Sequence, residues 1–314
     1  MIPVMRRRTS YVALALSAAL VASCSSSDDV KLGTDWKGSQ TFVTASVSGK
    51  TVVVGINPEA HHAQALAVVP KKDGDDDVLA PQLVRFADGR WWLSTPRKGE
   101  SPDRLFMLNT AQHTLDDKGD TDRLRELVPG KSLVAAVYGA SGSDQDAATT
   151  GRQSTSVLVR DAKTWKKVRE VRVPQAVTLT ASDPSSDTVC LATGQGSGTK
   201  VSVLDLTTGR TRPVGGTGGV QVQQMACPAG TPVLAGAPAG GSQGSTVKVT
   251  LKHADKATVV SAVGGRVDAV DATQDTVVVA VNRGQDSDLI ELDRASGREL
   301  RRVAVKGMDN SFLL

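Results

Sequence analysis

The 314-residue sequence predicts an all-β fold, a β-propeller of six or seven four-stranded blades. Three observations predict it: a hairpin signature repeating at a period in the forties, short runs with strand alternation throughout, and no window carrying a long helical stripe. The signature is clearest at Val203-Leu204-Asp205-Leu206-Thr207-Thr208-Gly209-Arg210. It returns at Leu292-Asp293-Arg294-Ala295-Ser296-Gly297-Arg298, and more loosely at Val159-Arg160-Asp161-Ala162-Lys163-Thr164-Trp165. Asp161 and Asp205 stand 44 residues apart, and Asp205 and Asp293 stand 88 apart, two periods.

Each copy reads as strand, tight turn, strand. Asp accepts hydrogen bonds from amides a few residues on, Thr or Ser does so more weakly, and Gly209 and Gly297 supply the positive φ that such loops need. Trp165 stands at the Gly position of the third copy, which predicts a different turn there or one without positive φ. Leu251-Lys252-His253-Ala254-Asp255-Lys256 and Leu108-Asn109-Thr110-Ala111-Gln112-His113 fall where degenerate copies belong.

In chain order, residues 1–23 read as an export signal: Arg6, Arg7 and Arg8, then an apolar run from Tyr11 to Leu20 too short to span a bilayer. It ends Leu20-Val21-Ala22-Ser23-Cys24, which resembles the bacterial lipobox; the resemblance implies that Cys24 is lipidated and becomes the first residue after cleavage. An ordinary cleaved signal is the alternative. The formal charge of +4 falls to about +1 without the three arginines, so the basic balance does not imply a nucleic-acid partner. Residues 24–40 read as the lipidated Cys and a polar tether, and 41–314 as the propeller.

The first blade is expected from Thr41 through residues 51–54 and 65–69 to Leu79. The second is expected from Leu83 through Trp91 to Leu108, and the third from Leu133 through 156–159 to 168–173. Residues 120–127 come closest to a helix, about two turns, read as an insertion at a blade edge. The fourth blade is expected over 176–214, the fifth from Val220 through Val233 and Val247, and the sixth over 267–305. The stretch Met308-Asp309-Asn310-Ser311-Phe312-Leu313-Leu314 resembles the innermost strand of one more blade, which leaves six and seven blades both open.

Cys190 and Cys227 are the cysteines beyond Cys24, and an even pair in an exported chain suggests a disulfide between neighbouring blades; two buried thiols are the alternative. The acidic turn Asp73-Gly74-Asp75-Asp76-Asp77 lacks EF-hand spacing and reads as a solvated tip. His61 and His62 are adjacent and would point to opposite faces of a strand, so no metal site is assigned. Gly194-Gln195-Gly196-Ser197-Gly198-Thr199 reads as a hairpin loop, and Gly215-Gly216-Thr217-Gly218-Gly219 as a linker between blades. Trp91-Trp92 place one ring on each face, one in the core and one at a channel or partner surface. Gly139-Ala140-Ser141-Gly142 lacks the frame of a nucleophile elbow.

The hairpins Asp205 to Gly209 and Asp293 to Gly297 resemble the strand turn of quinoprotein-like (PQQ-like) and YVTN-type propeller repeats. Arg212 and Leu300 lie where the quinoprotein repeat carries a Trp, so no cofactor is expected. The resemblance implies a lipid-anchored, extracytoplasmic propeller that binds or scaffolds an envelope protein. A channel-site enzyme of lyase, lactonase or dehydrogenase type, and a small-ligand-binding lipoprotein, are the alternatives.

Overall fold

The computed structural model describes residues 30–39, 41–47, 50–57, 60, 62–70, 81–95, 103–121, 124–138, 154–194, 198–240, 246–251, 256–261, 266–283 and 286–306. They form six antiparallel sheets arranged as the blades of a propeller, so the seventh blade is not present among them. The first blade comprises β1 (Thr41–Val47), β2 (Lys50–Asn57) and β3 (His62–Val68). The second is β4 (Gln82–Arg85), β5 (Trp91–Thr95), β6 (Asp103–Asn109) and β7 (Thr114–Thr121). The third is β8 (Leu124–Pro129), β9 (Leu133–Tyr138), β10 (Thr155–Asp161) and β11 (Lys167–Val173). The fourth is β12 (Val177–Ser182), β13 (Thr188–Thr193), β14 (Lys200–Asp205) and β15 (Thr211–Pro213). The fifth is β16 (Val220–Ala226), β17 (Val233–Pro238), β18 (Val247–Thr250) and β19 (Ala257–Ser261). The sixth is β20 (Arg266–Ala272), β21 (Thr276–Asn282), β22 (Asp286–Asp293) and β23 (Glu299–Lys306).

The first strands of blades two to six touch in sequence, β4 to β8 to β12 to β16 to β20, and so line the axis. Apolar side chains then fill the gaps between blades rather than one central core. Val128, Val157, Val189 and Leu204 pack blade three on four. Cys190, Val203, Met225 and Leu234 pack four on five, and Val233, Val249, Val277 and Ile290 pack five on six. Small β-branched residues suit this geometry, because each sheet is buried on two faces and must approach its neighbours closely.

Several expectations are corrected. Residues 120–127 are not a helix; they contribute the end of β7 and most of β8, the innermost strand of blade three, which therefore begins at Leu124 and not at Leu133. The cause is a bulge: the register between β8 and β9 skips Arg125, so Leu124 and Leu127 are both buried although three residues apart. A bulge in a strand thus copies the spacing of a helical turn. Nor is the whole of 24–40 a free tether. Trp36 is 3% exposed, packs on Phe42 and stacks on His113 with ring planes 4° apart. The Gly33 N–H donates to the Ala65 carbonyl of β3, and Asp35 accepts from the Gly38 amide and the Asn57 side chain. One aromatic anchor and one Asp hold this segment, which no periodicity announces. Cys24 and the residues before it lie outside the described residues, as do Asp73 to Asp77, His61, His253, Gly139 to Gly142 and Met308 to Leu314.

A candidate interaction face at the hairpin end

The repeated hairpins all join the third and fourth strands of their blades, so they gather at one end of the propeller. Their geometry is shared. The Asp161, Asp205 and Asp293 carboxylates each accept the backbone N–H three residues on, at 2.7, 2.9 and 2.7 Å. The amides of Trp165, Gly209 and Gly297 each donate to the carbonyl of the turn Asp. Trp165 corrects the expectation of a different turn: it adopts φ 59° beside 74° for Gly209 and 73° for Gly297. What holds an aromatic residue there is a stack. Phe86 lies on Trp92 and Trp92 on Trp165, with centroids 5.6 and 4.9 Å apart, and the Arg160 guanidinium covers the outer ring at 5.2 Å. Both tryptophans of the 91–92 pair are consumed between blades: Trp92 faces blade three, and half-buried Trp91 meets Phe42 edge-on at 5.5 Å. Neither is a free binding surface.

The turns are tied to one another as well as internally. In blades three, four and six the residue after the turn Asp donates its amide to the hairpin joining the first two strands, Ala162 to Ser132, Leu206 to Asp187 and Arg294 to Asp275. Between blades, Asp187 accepts from the amides of Ser132 and Leu133 and from the Ser132 hydroxyl. Buried Arg294 donates to the carbonyls of Leu251 in blade five and Thr273 in its own blade. Arg90 of blade two donates to the Ala162 carbonyl of blade three, and the Ala229 amide of blade five donates to Asp183 of blade four. These roles of Arg90, Asp187 and Arg294 carry no motif, because each depends on a neighbour from another blade. Asn57 and Asn109 do have a signal. They lie 52 residues apart, as Asn109 and Asp161 do, and each accepts the amide three residues on.

The sulfurs of Cys190 and Cys227 stand at bonding distance, with Cα atoms 5.8 Å apart, where β13 of blade four meets the end of β16 of blade five. The charged turn residues are electrostatically ordered. The Thr164 amide and hydroxyl hold Asp161 below the usual carboxylate range, and the Ser296 hydroxyl and amide do the same for Asp293. The exposed side chains of this end include Lys131, Lys163, Lys166, Arg210 and Arg298. On the axis, Glu126 of β8 is held above the usual range by burial, against the opposing pull of the Thr180 hydroxyl and Arg125. Among the described residues no group of three or more His, Cys, Asp and Glu is placed to hold a metal ion. The Gly215 to Gly219 segment links β15 to β16, and Gly194 and Gly198 fall between β13 and β14.

No protein-family model matches the sequence, and no curated protein matches it. Solved structures do. An oligogalacturonate lyase in complex with manganese aligns with a TM-score of 0.58 at 11% identity, over 87% of this chain and 75% of that one. Acylaminoacyl peptidase from Pyrococcus horikoshii aligns at 0.55 and 11% identity, over 84% of this chain and 43% of that one. TolB from Acinetobacter baumannii aligns at 0.54 and 11% identity, over 82% of this chain and 59% of that one. The chain thus spans about half the length of the last two. At such identities the likeness establishes one property, the β-propeller fold.

Proposed function

We propose that this chain is a lipid-anchored, extracytoplasmic propeller that binds an envelope protein through its hairpin end. The observation that carries the reading is the welded hairpin face, in which side-chain and backbone hydrogen bonds join turns of blades two to six. A face fixed in this way loses little conformational entropy on binding, and its exposed lysines and arginines, set beside the exposed carboxylates of Asp88 and Asp275, offer charges of both signs to a partner. The anchor rests on the sequence around Cys24, with residues up to about 30 as the leash. TolB from Acinetobacter baumannii shares the fold and no more than that, so the partner is to be found by experiment.

The test is crosslinking in cells followed by recovery of tagged protein from membranes, with native chain and a Lys131→Glu, Lys163→Glu, Arg210→Glu variant in parallel. One envelope protein recovered in near-equal amount with the native chain, and at least tenfold less with the variant at unchanged thermal stability, is the expected result. Recovery of the propeller alone, or equal recovery with the variant, would overturn the reading. Replacing Cys24 by Ser should move the protein out of the membrane fraction.

A further inference from the structure

The outermost strands form the rim of the propeller, and each leaves one backbone edge without a ladder partner unless something covers it. The rim strands of this chain treat that edge differently. At β3 the Gly33 amide donates to the Ala65 carbonyl, so the segment before β1 lies on the edge. β15 has three residues, one of them Pro213. β7 holds Gly119 at φ 94°, and its Asp116 and Asp117 pair with Lys118 and Arg104. β19 has five residues and no charge. In β23 the Arg302 guanidinium is taken by Glu299 and Asp288.

β11, Lys-Val-Arg-Glu-Val-Arg-Val, is long, open and charged in one sense. It runs seven residues without Gly or Pro, and among the described residues no strand pairs with its far side. Lys167, Val168, Glu170 and Arg172 are exposed. From Lys163 to Arg172 the chain carries five cations and one carboxylate, Glu170. Glu170 is already engaged, by Lys167 at 2.8 Å and by the Ser156 hydroxyl at 3.0 Å. The carboxylates of the adjoining turns, Asp161 and Asp205, accept amides within those turns. Among the described residues, Arg169 and Arg172 have no carboxylate at ion-pair distance. Arg169 is also held in place. Its side chain lies along the β14–β15 turn of blade four, where a Cβ on Gly209 would stand 3.1 Å from its Cδ and 3.4 Å from Nη1, and its buried Nε–H has no hydrogen-bond partner. The stem is packed while the charge is unmatched.

The register says what fits this edge. Arg169 stands opposite Val159 and Arg172 opposite Ser156, so the two guanidinium groups belong to opposite faces of the blade. A second copy of β11 would set like charges against one another, which disfavours self-pairing. A lipid surface would answer the cations and leave the ladder edge unmatched. An extended segment with carboxylates three residues apart answers both: one carboxylate falls on each face, and the backbone continues the ladder.

We propose that β11 is a docking edge for an extended acidic segment of a partner protein, which adds to blade three as a fifth strand and sets its carboxylates on Arg169 and Arg172. The surface is the rim and not the hairpin face, so the proposal stands or falls apart from the function proposed above.

The test uses the full chain and three fluorescent seven-residue peptides, with binding read by anisotropy at low ionic strength. The first, Thr-Glu-Val-Thr-Glu-Val-Thr, has its carboxylates three residues apart. The second, Thr-Glu-Val-Glu-Thr-Val-Thr, has the same composition with both carboxylates on one face. The third is the first with alternate amides N-methylated along its pairing edge, which keeps the charge and removes the ladder. The first should bind about tenfold more tightly than either of the others and should slow hydrogen exchange of amides within residues 167–173. Arg169→Glu and Arg172→Glu should each weaken it by about tenfold at unchanged melting temperature. If either lowers the melting temperature, Arg172→Gln, a change at an exposed side chain, reads the same contact. Equal binding of the three peptides would reduce the edge to a charged surface and overturn the assignment. Absence of binding by all three would do the same, as would binding of phosphatidylglycerol vesicles through Arg169 and Arg172 without binding of any peptide.

Discussion

A positive φ is met in two ways in these hairpins, and the difference sets what substitution does. At Gly209 the backbone is at 74°, and an added Cβ would meet the side chains of Arg169, at 3.1 Å, and Val171, at 3.4 Å. Gly209→Ala should therefore cost about 1–2 kcal/mol, mostly from the left-handed conformation itself. At Trp165 that cost is already present and the ring outweighs it. Trp165→Gly relieves about 1 kcal/mol of backbone strain but forfeits a stacked, interblade aromatic of the kind worth about 3–5 kcal/mol. Both variants should unfold at lower urea concentration than the native chain, Trp165→Gly the lower of the two. A Trp165→Gly protein as stable as the native one would show that the Phe86–Trp92–Trp165 stack contributes little.

At the scale of the strand, what could be read from the residues depended on whether alternation survived. Blades four and six were legible throughout, since Val189, Leu191, Val203 and Val277, Val279, Val281 keep strand period and face apolar neighbours. The outer strand β7, Thr-Leu-Asp-Asp-Lys-Gly-Asp-Thr, was not, because an edge strand facing water needs polar residues and shows no alternation. β8 was misread through its bulge at Arg125. The hairpin Asp residues were legible because their bonds are local, whereas Asp187 and Arg294 act on partners far along the chain. The bulge also places Glu126 half-buried on the axis, and there its titration becomes measurable. Burial raises its folded pKa above the unfolded value near 4.3. The folded state then binds the proton more tightly, so stability falls as pH rises from the unfolded toward the folded pKa. Glu126→Gln should raise the melting temperature at pH 7, and the gain should vanish below about pH 4, where the native carboxyl is neutral in both states. A gain independent of pH would point to packing instead of ionisation.

At the scale of the ring, each seam is closed by different chemistry, and this makes the seams separable by experiment. Blades one and two meet through Trp36, Phe42 and Trp91; two and three through the aromatic stack and Gln82; three and four through Asp187 and the Arg125 guanidinium on the Val177 carbonyl. Blades five and six meet through Gln223 and Arg294. Between four and five stands the Cys190–Cys227 pair, 37 residues apart in sequence and almost fully buried. A crosslink over that span restricts the unfolded chain by about 3–4 kcal/mol in the loop-entropy account. Replacing both cysteines by Ala should lower the melting temperature by roughly 5–10 °C for a domain of this size. Reductant should lower the native value to that of the variant and leave the variant where it is. Because both sulfurs are buried, reduction should be slow in the folded protein and accelerate under conditions that part blades four and five. A native protein that titrates with two free thiols and melts equally with and without reductant would assign that seam to the apolar contacts of Val203, Met225 and Leu234 alone.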